Sequence, residues 1–127
     1  MRATKKAQYA LRAVIFLAKK KEVSSLRSIA EAEGISFDYL EKILSKLEKS
    51  NLVESKKGVT GGYLLAKNPK SINLKDVFDA VGEPISLVDC LKKRCPLDSK
   101  CRAIKAWKKV NTKIEEALLS VKLSDLL

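Results

Sequence analysis

The chain has 127 residues, the size of one domain or of one domain with an appended arm. Lys and Arg number 26 against 15 Asp and Glu, a net charge of +11, and 46% of residues are hydrophobic. That excess selects polyanionic partners, nucleic acid or an acidic membrane surface, and the absence of histidine removes the commonest general base and the commonest metal ligand. No run of 18 apolar residues is present, so no membrane-spanning helix is expected. Residues 7–18 could imitate a signal-peptide core, but Arg12 interrupts them and Lys19-Lys20-Lys21-Glu22 stands where a cleavage site should lie. The segment therefore reads as a helix of a cytoplasmic protein with no membrane partner, whose cysteines are reduced unless they bind something.

In chain order, Ala7, Ala10, Leu11, Val14, Leu17 and Ala18 carry the spacing of a helix over residues 4–20. Ser24-Ser25 offers an N-cap to a short helix with Leu26, Ile29 and Ala30 on one face, broken by Gly34. Ser36 can cap the next helix, with Asp38 near its positive end, Leu40, Ile43, Leu44 and Leu47 inward, and Asn51 closing it. Two short helices joined by Glu33-Gly34-Ile35-Ser36 form the helix-turn-helix pattern. Leu52–Ser55 reads as a strand, Lys56–Gly62 as a basic glycine-containing loop, and Tyr63–Ala66 as a returning strand. A hairpin directly after a helix-turn-helix is a wing, and the combination points to DNA. Asn73 caps a further helix with Leu74, Val77, Phe78 and Val81 inward, which Gly82 and Pro84 end.

All three cysteines, Cys90, Cys95 and Cys101, fall in the next stretch. Closely spaced thiolates hold iron–sulfur clusters, and Lys92, Lys93, Arg94, Lys100 and Arg102 favour the thiolate form. A zinc site or a reactive thiol switch needs the same features, so both stay open. A last helix from about 102 to 121 repeats Ala103, Trp107, Val110, Ile114, Ala117 and Val121 at steps of four and three. That seam suits a second copy of the chain, with packing against its own domain as the alternative. A homodimer would set two recognition helices about one DNA turn apart, as a palindromic operator requires.

The fold class expected is mainly α with a small β-hairpin wing: a winged helix-turn-helix plus a long C-terminal dimerisation helix. Residues 1–83 form the head, 84–101 the cysteine-bearing loop and 102–127 the dimerisation helix and tail, all in one structural domain. Phosphate contacts are assigned to Arg2, Lys5 and Lys6 and to the wing residues Lys56, Lys57, Gly58 and Thr60. Base reading is assigned to Ser36, Asp38, Tyr39, Glu41 and Lys42, and Phe37 to packing. The dimer seam comprises Trp107, Val110, Ile114, Ala117 and Val121. No enzyme is expected: the chain lacks a base to activate a cysteine, and its glycine-rich loop lacks the ending of a nucleotide-binding P-loop.

The opening Met1-Arg2-Ala3-Thr4-Lys5-Lys6-Ala7-Gln8-Tyr9-Ala10-Leu11-Arg12-Ala13 resembles the first helix of the Rrf-type regulators, the family of IscR and NsrR. Ile29-Ala30, Gly34-Ile35-Ser36 and Tyr39-Leu40-Glu41 resemble that family's helix-turn-helix, and Gly58-Val59-Thr60-Gly61-Gly62-Tyr63-Leu64-Leu65 its wing. The resemblance implies a homodimeric regulator, usually a repressor. In many members three cysteines of one subunit hold an iron–sulfur cluster whose gain, loss or oxidation changes DNA affinity; others carry none. The signals sensed include nitric oxide, redox state and iron or cluster supply. The cysteine spacing is similar to that of NsrR-like members, and no histidine follows Cys101 as it does in IscR-like ones. In some NsrR-like members an acidic residue of the partner's first helix completes the site. Gln8 stands at the matching position here, with Asp89 and Asp98 as local alternatives. The resemblance leaves a two-iron or four-iron cluster undecided, and implies that Glu41 discriminates between operator classes.

Overall fold

A computed structural model of the chain describes residues 2–83 and 102–127. Cys90, Cys95 and Cys101 lie outside the described residues, as do Met1 and the rest of the segment 84–101 expected to form the cysteine loop. The described residues form five α-helices, α1 (Lys5–Lys20), α2 (Leu26–Glu33), α3 (Phe37–Lys49), α4 (Leu74–Ala80) and α5 (Ile104–Ser120), and two strands, β1 (Val53–Lys56) and β2 (Gly62–Leu65). The mainly helical winged fold expected from the sequence is the one found.

Local chemistry sets most helix ends. Thr4, Ser25, Ser36 and Asn73 each accept a hydrogen bond from a backbone N–H in the first turn of the helix that follows. Asn73 and Asp76 complete a reciprocal capping box. Gly34 closes α2 at φ 65°, a left-handed backbone that favours glycine. After α3, Ser50 is the cap and Asn51 takes φ 62°, which lets the chain turn sharply into β1.

One continuous core joins these elements. Ala7, Ala10, Ala13, Val14 and Leu17 of α1 share it with Ile29, Leu40, Ile43, Leu44, Leu47, Ile72, Val77 and Leu123, all essentially inaccessible to solvent. Each large apolar side chain buried this way contributes roughly 1.5–3 kcal/mol relative to exposure. Phe37 departs from expectation. Assigned to core or backbone packing, it is 47% exposed and so lies outside the core, because it is the first residue of α3 and precedes the buried stripe that begins at Leu40.

The wing is an antiparallel pair in which Val53 faces Leu65 and Lys56 faces Gly62. Both strands fall one residue from their expected limits, and β2 also makes a long-range contact. Ser24 and Tyr63 exchange backbone hydrogen bonds of 2.9 and 2.8 Å, tying β2 to the residue before the α2 cap. At Gly62 a Cβ would collide with the backbone of Ser24 and Ser25, so only glycine permits this approach.

Helix α5 touches the head along one side and leaves the rest of its surface open. Ile104 is buried and Leu118 packs against the core, while Leu74 N–H donates to Val121 C=O and Leu123 N–H to Ile72 C=O at 3.1 and 2.8 Å. Trp107 and Val110 are 39% and 47% exposed, Ala117 is exposed, and Ile114 and Val121 are half-buried.

Gly62→Ala is expected to destabilise the protein by about 1–3 kcal/mol and to lower its thermal midpoint. Amide exchange should report the loss through faster exchange at Ser24 and Tyr63. An unchanged melt with both amides still protected would show that the wing is not held in this way.

Candidate nucleic-acid interface

The turn before α3 is fixed by three residues with separate tasks. Gly34 supplies the left-handed backbone, Ile35 is buried, and Ser36 accepts from Tyr39 N–H at 3.4 Å. Arg12 of α1 grips the turn from outside. Its Nε donates to Glu33 Oε1 at 3.1 Å, its Nη2 donates to the Glu33 carbonyl, and its guanidinium lies 5.7 Å from the centre of the Tyr9 ring.

Helix α3 has a different environment on each side. Leu40, Ile43, Leu44 and Leu47 face the core. The edge carrying Tyr39 and Lys46 faces α1, where the Tyr9 and Tyr39 rings meet edge to face at 5.8 Å. The opposite edge carries Glu41 and Glu48 and faces the wing: Glu48 Oε2 accepts from the N–H and the hydroxyl of Ser55 at 3.2 and 2.6 Å. Opposite the core, helical spacing places Asp38, Lys42, Ser45 and Lys49 in one outward stripe, with Asp38, Lys42 and Lys49 exposed.

Between this stripe and the wing lies an open groove of about 520 Å³ lined by Glu41, Lys42, Ser45, Lys46, Glu48, Lys49 and Tyr63. The Tyr63 phenol is pushed above its usual range, first by burial and then by the nearby Glu48 and Glu41 carboxylates, so it is a neutral hydrogen-bonding group at physiological pH.

Of the residues assigned to base reading from sequence, Asp38, Glu41 and Lys42 are exposed together on α3. Ser36 is exposed but engaged as the cap, and Tyr39 is half-buried against Tyr9. Ser45 and Lys49 join the exposed stripe and were not singled out from the sequence. The spacing Asp38, Lys42, Ser45, Lys49 was the signal that could have found them. Of the phosphate candidates, Arg2, Lys5, Lys56, Lys57, Gly58 and Thr60 are exposed, and Lys6 is partly covered, its Nζ 3.3 Å from Glu83 Oε1. Val59 at the wing tip is fully exposed. Gly58 adopts φ 113°, a conformation that side chains other than hydrogen resist, in open space. Gln8 is exposed on α1, and its Nε2 donates to Ala3 C=O at 2.8 Å.

With this geometry in view, comparison with known proteins identifies the fold's relatives. Residues 3–127 match the model of the family Rrf2, described as iron-dependent transcriptional regulators. The HTH-type transcriptional regulator IscR of Escherichia coli (strain K12 / DH10B) is 36% identical over 129 aligned positions, covering 99% of this chain and 80% of its own length. Among solved structures, CymR (YrzC), the global cysteine regulator of B. subtilis, is similar with a TM-score of 0.80 at 34% identity, covering 99% of this chain and 95% of the other. IscR of T. potens follows with a TM-score of 0.76 at 34% identity, covering 99% and 85%. No helix among the described residues is long and apolar enough to cross a membrane. The chain belongs to the Rrf2 family of transcriptional regulators.

Proposed function

We propose that this regulator binds a palindromic operator in duplex DNA as a homodimer, acts as a repressor, and changes its DNA affinity with the state of its three cysteines. The observation that carries the reading is the outward face of α3, with exposed Asp38, Glu41, Lys42 and Lys49, the groove that Glu41, Lys42, Ser45 and Lys49 share with Tyr63 of the wing, and the exposed wing residues Lys56, Lys57, Gly58 and Thr60. Helix α3 would enter the major groove. There Lys42 can donate to guanine and Glu41 can accept from cytosine, while the wing lysines meet phosphate. Arg2 and Lys5 would add phosphate contacts from the start of α1. Tyr39 serves chiefly to hold α3 against α1, since its ring is spent on Tyr9.

The dimer would form along Trp107, Val110, Ile114 and Ala117 of α5 and Val121 at its C-terminal end. The support is an apolar stripe on a 17-residue helix whose only fully buried member among the described residues is Ile104. Dimerisation would bring a second α3 to the neighbouring half-site.

Cys90, Cys95 and Cys101 form a donor set of three thiols within 12 residues, in a chain without histidine. That set fits an iron–sulfur cluster, two-iron or four-iron. The amide oxygen of Gln8 on the partner's α1 would be a weak fourth ligand, leaving one iron open to nitric oxide, oxygen or a small thiol. When bound, the cluster would supply a redox-labile, thiolate-held iron centre; the chain's part is to hold it through the three thiols that precede α5 in the sequence. A second reading keeps the DNA-binding head and makes the cysteines a zinc or thiol-redox site. The likeness to a global cysteine regulator favours it.

Three experiments test these proposals. In fluorescence anisotropy titrations, Lys57→Ala should weaken binding to every duplex and reduce the salt slope by about one, whereas Glu41→Ala should alter sequence preference more than overall affinity. Equal losses for Glu41→Ala on operator and random DNA would remove its assigned role. In sedimentation runs the wild type should behave as a dimer and Val110→Glu as a monomer with an intact circular dichroism spectrum; identical sedimentation would exclude the α5 seam. Protein purified without oxygen should show visible charge-transfer absorption with equal iron and sulfide, both lost in Cys90→Ser, Cys95→Ser and Cys101→Ser. Colourless protein, with zinc or without metal, would support the second reading and exclude the cluster.

A further inference from the structure

Three charged groups from distant parts of the chain meet at the edge of α3 that faces α1. Lys6 of α1 places its Nζ 3.3 Å from Oε1 of Glu83, and the two side chains are each about 30% exposed, at 30% and 29%. Lys46 of α3 lies within hydrogen-bonding reach of Lys6, with Lys49 close enough to be felt. The contact follows from the packing: α1 and α3 already meet through Tyr9 and Tyr39, and Lys46 shares the Tyr39 edge. Two ammonium groups side by side repel unless an anion lies between or beside them. Lys46 records this, and Lys6 records the relief. Lys46 is pushed below its usual range, first because its uncharged amine can accept from the Lys6 ammonium and then by the charge of Lys6. Lys6 is held above its usual range, first by that acceptor on Lys46 and next by its hydrogen bond with Glu83. The single carboxylate of Glu83 leaves the group of three lysines short of negative charge.

We infer that Lys6 and Lys46 form a binding site for one backbone phosphate of duplex DNA, and that Glu83 covers this site in the unbound chain as an intramolecular competitor. Lys46 was not singled out from the sequence. It borders the groove that also holds Glu41, Lys42 and Lys49, so a phosphate at the pair is continuous with the α3 surface. A phosphate accepts from both ammonium groups at once and relieves their repulsion. The Glu83 carboxylate, 3.3 Å from Lys6, must give way for it. Glu83 is therefore a brake on affinity. It acts equally on every sequence, because phosphates carry no base information. The proposal rests on the reading of the chain as a duplex-DNA binder.

The test is a double-mutant cycle of anisotropy titrations against a labelled mixed-sequence duplex, over a range of salt, with circular dichroism confirming that every variant is folded. Glu83→Gln is expected to tighten binding about two- to fivefold at low salt, the range of an exposed ion pair, and the gain should shrink as salt rises. Lys46→Gln should weaken binding and reduce the salt slope by about one. In the Lys6→Gln/Lys46→Gln background, Glu83→Gln should change nothing. A gain that persists there would be a generic effect of net charge and would overturn the proposal, as would Glu83→Gln or Lys46→Gln binding like the wild type. Failure of the folded wild type to bind any duplex would instead overturn the DNA-binding reading, and the phosphate site with it.

Discussion

Everything on the binding surface depends on how completely α3 is held. A helix has one circumference, and here three of its sides are taken: Leu40, Ile43, Leu44 and Leu47 by the core, Tyr39 and Lys46 by α1, and Glu48 by β1. The stripe through Asp38, Lys42, Ser45 and Lys49 points away from all three, with Glu41 and Lys46 exposed at its edges. The alanines of α1, Ala7, Ala10 and Ala13, are fully buried and let the inner face of that helix approach the same core closely. Because the two edge contacts are polar or aromatic, they set the rotation of α3 about its axis, which an apolar core alone fixes loosely. Rotation is what a base-reading helix must control, since a small turn would exchange Lys42 for Glu41 or Lys46 at the centre of the face.

Much of this was legible in the residues. Ser25, Gly34, Ser36 and Asn73 announce helix ends because capping needs only neighbours within a turn. The buried stripes of α1 and α3 follow from helical spacing. Contacts between distant residues were not legible. Ser24 pairs with Tyr63, and nothing near either residue signals it. Tyr39 looked like an exposed recognition residue until Tyr9 was found beside it, and Phe37 looked buried because a first-turn position still follows the apolar pattern. The meeting of Lys6, Lys46 and Glu83 spans most of the head and leaves no trace in any local window. The α5 stripe was visible as spacing; in the single chain Trp107, Val110 and Ala117 are exposed while Ile114 and Val121 are half-buried.

In the proposed cysteine-dependent regulation, chain order supplies the route. Glu83 precedes Cys90 in the sequence and α5 begins shortly after Cys101. A change of ligation between them would thus have a short covalent route to the Lys6 and Lys46 pair on one side and to α5 on the other. It alters DNA affinity only to the extent that the two ligation states stabilise different arrangements of those neighbours.

The central claim is that the free face of α3 and the wing meet DNA. The most direct measurement is an amide chemical-shift map of the protein titrated with an operator duplex obtained by selection from a random library. The account predicts that the largest changes cluster at Asp38, Lys42, Ser45 and Lys49, at Lys56 through Thr60, and at Lys46, while Tyr9 and Leu44 move little. Changes centred on α2 or α5, with the α3 stripe and the wing unperturbed, would contradict it.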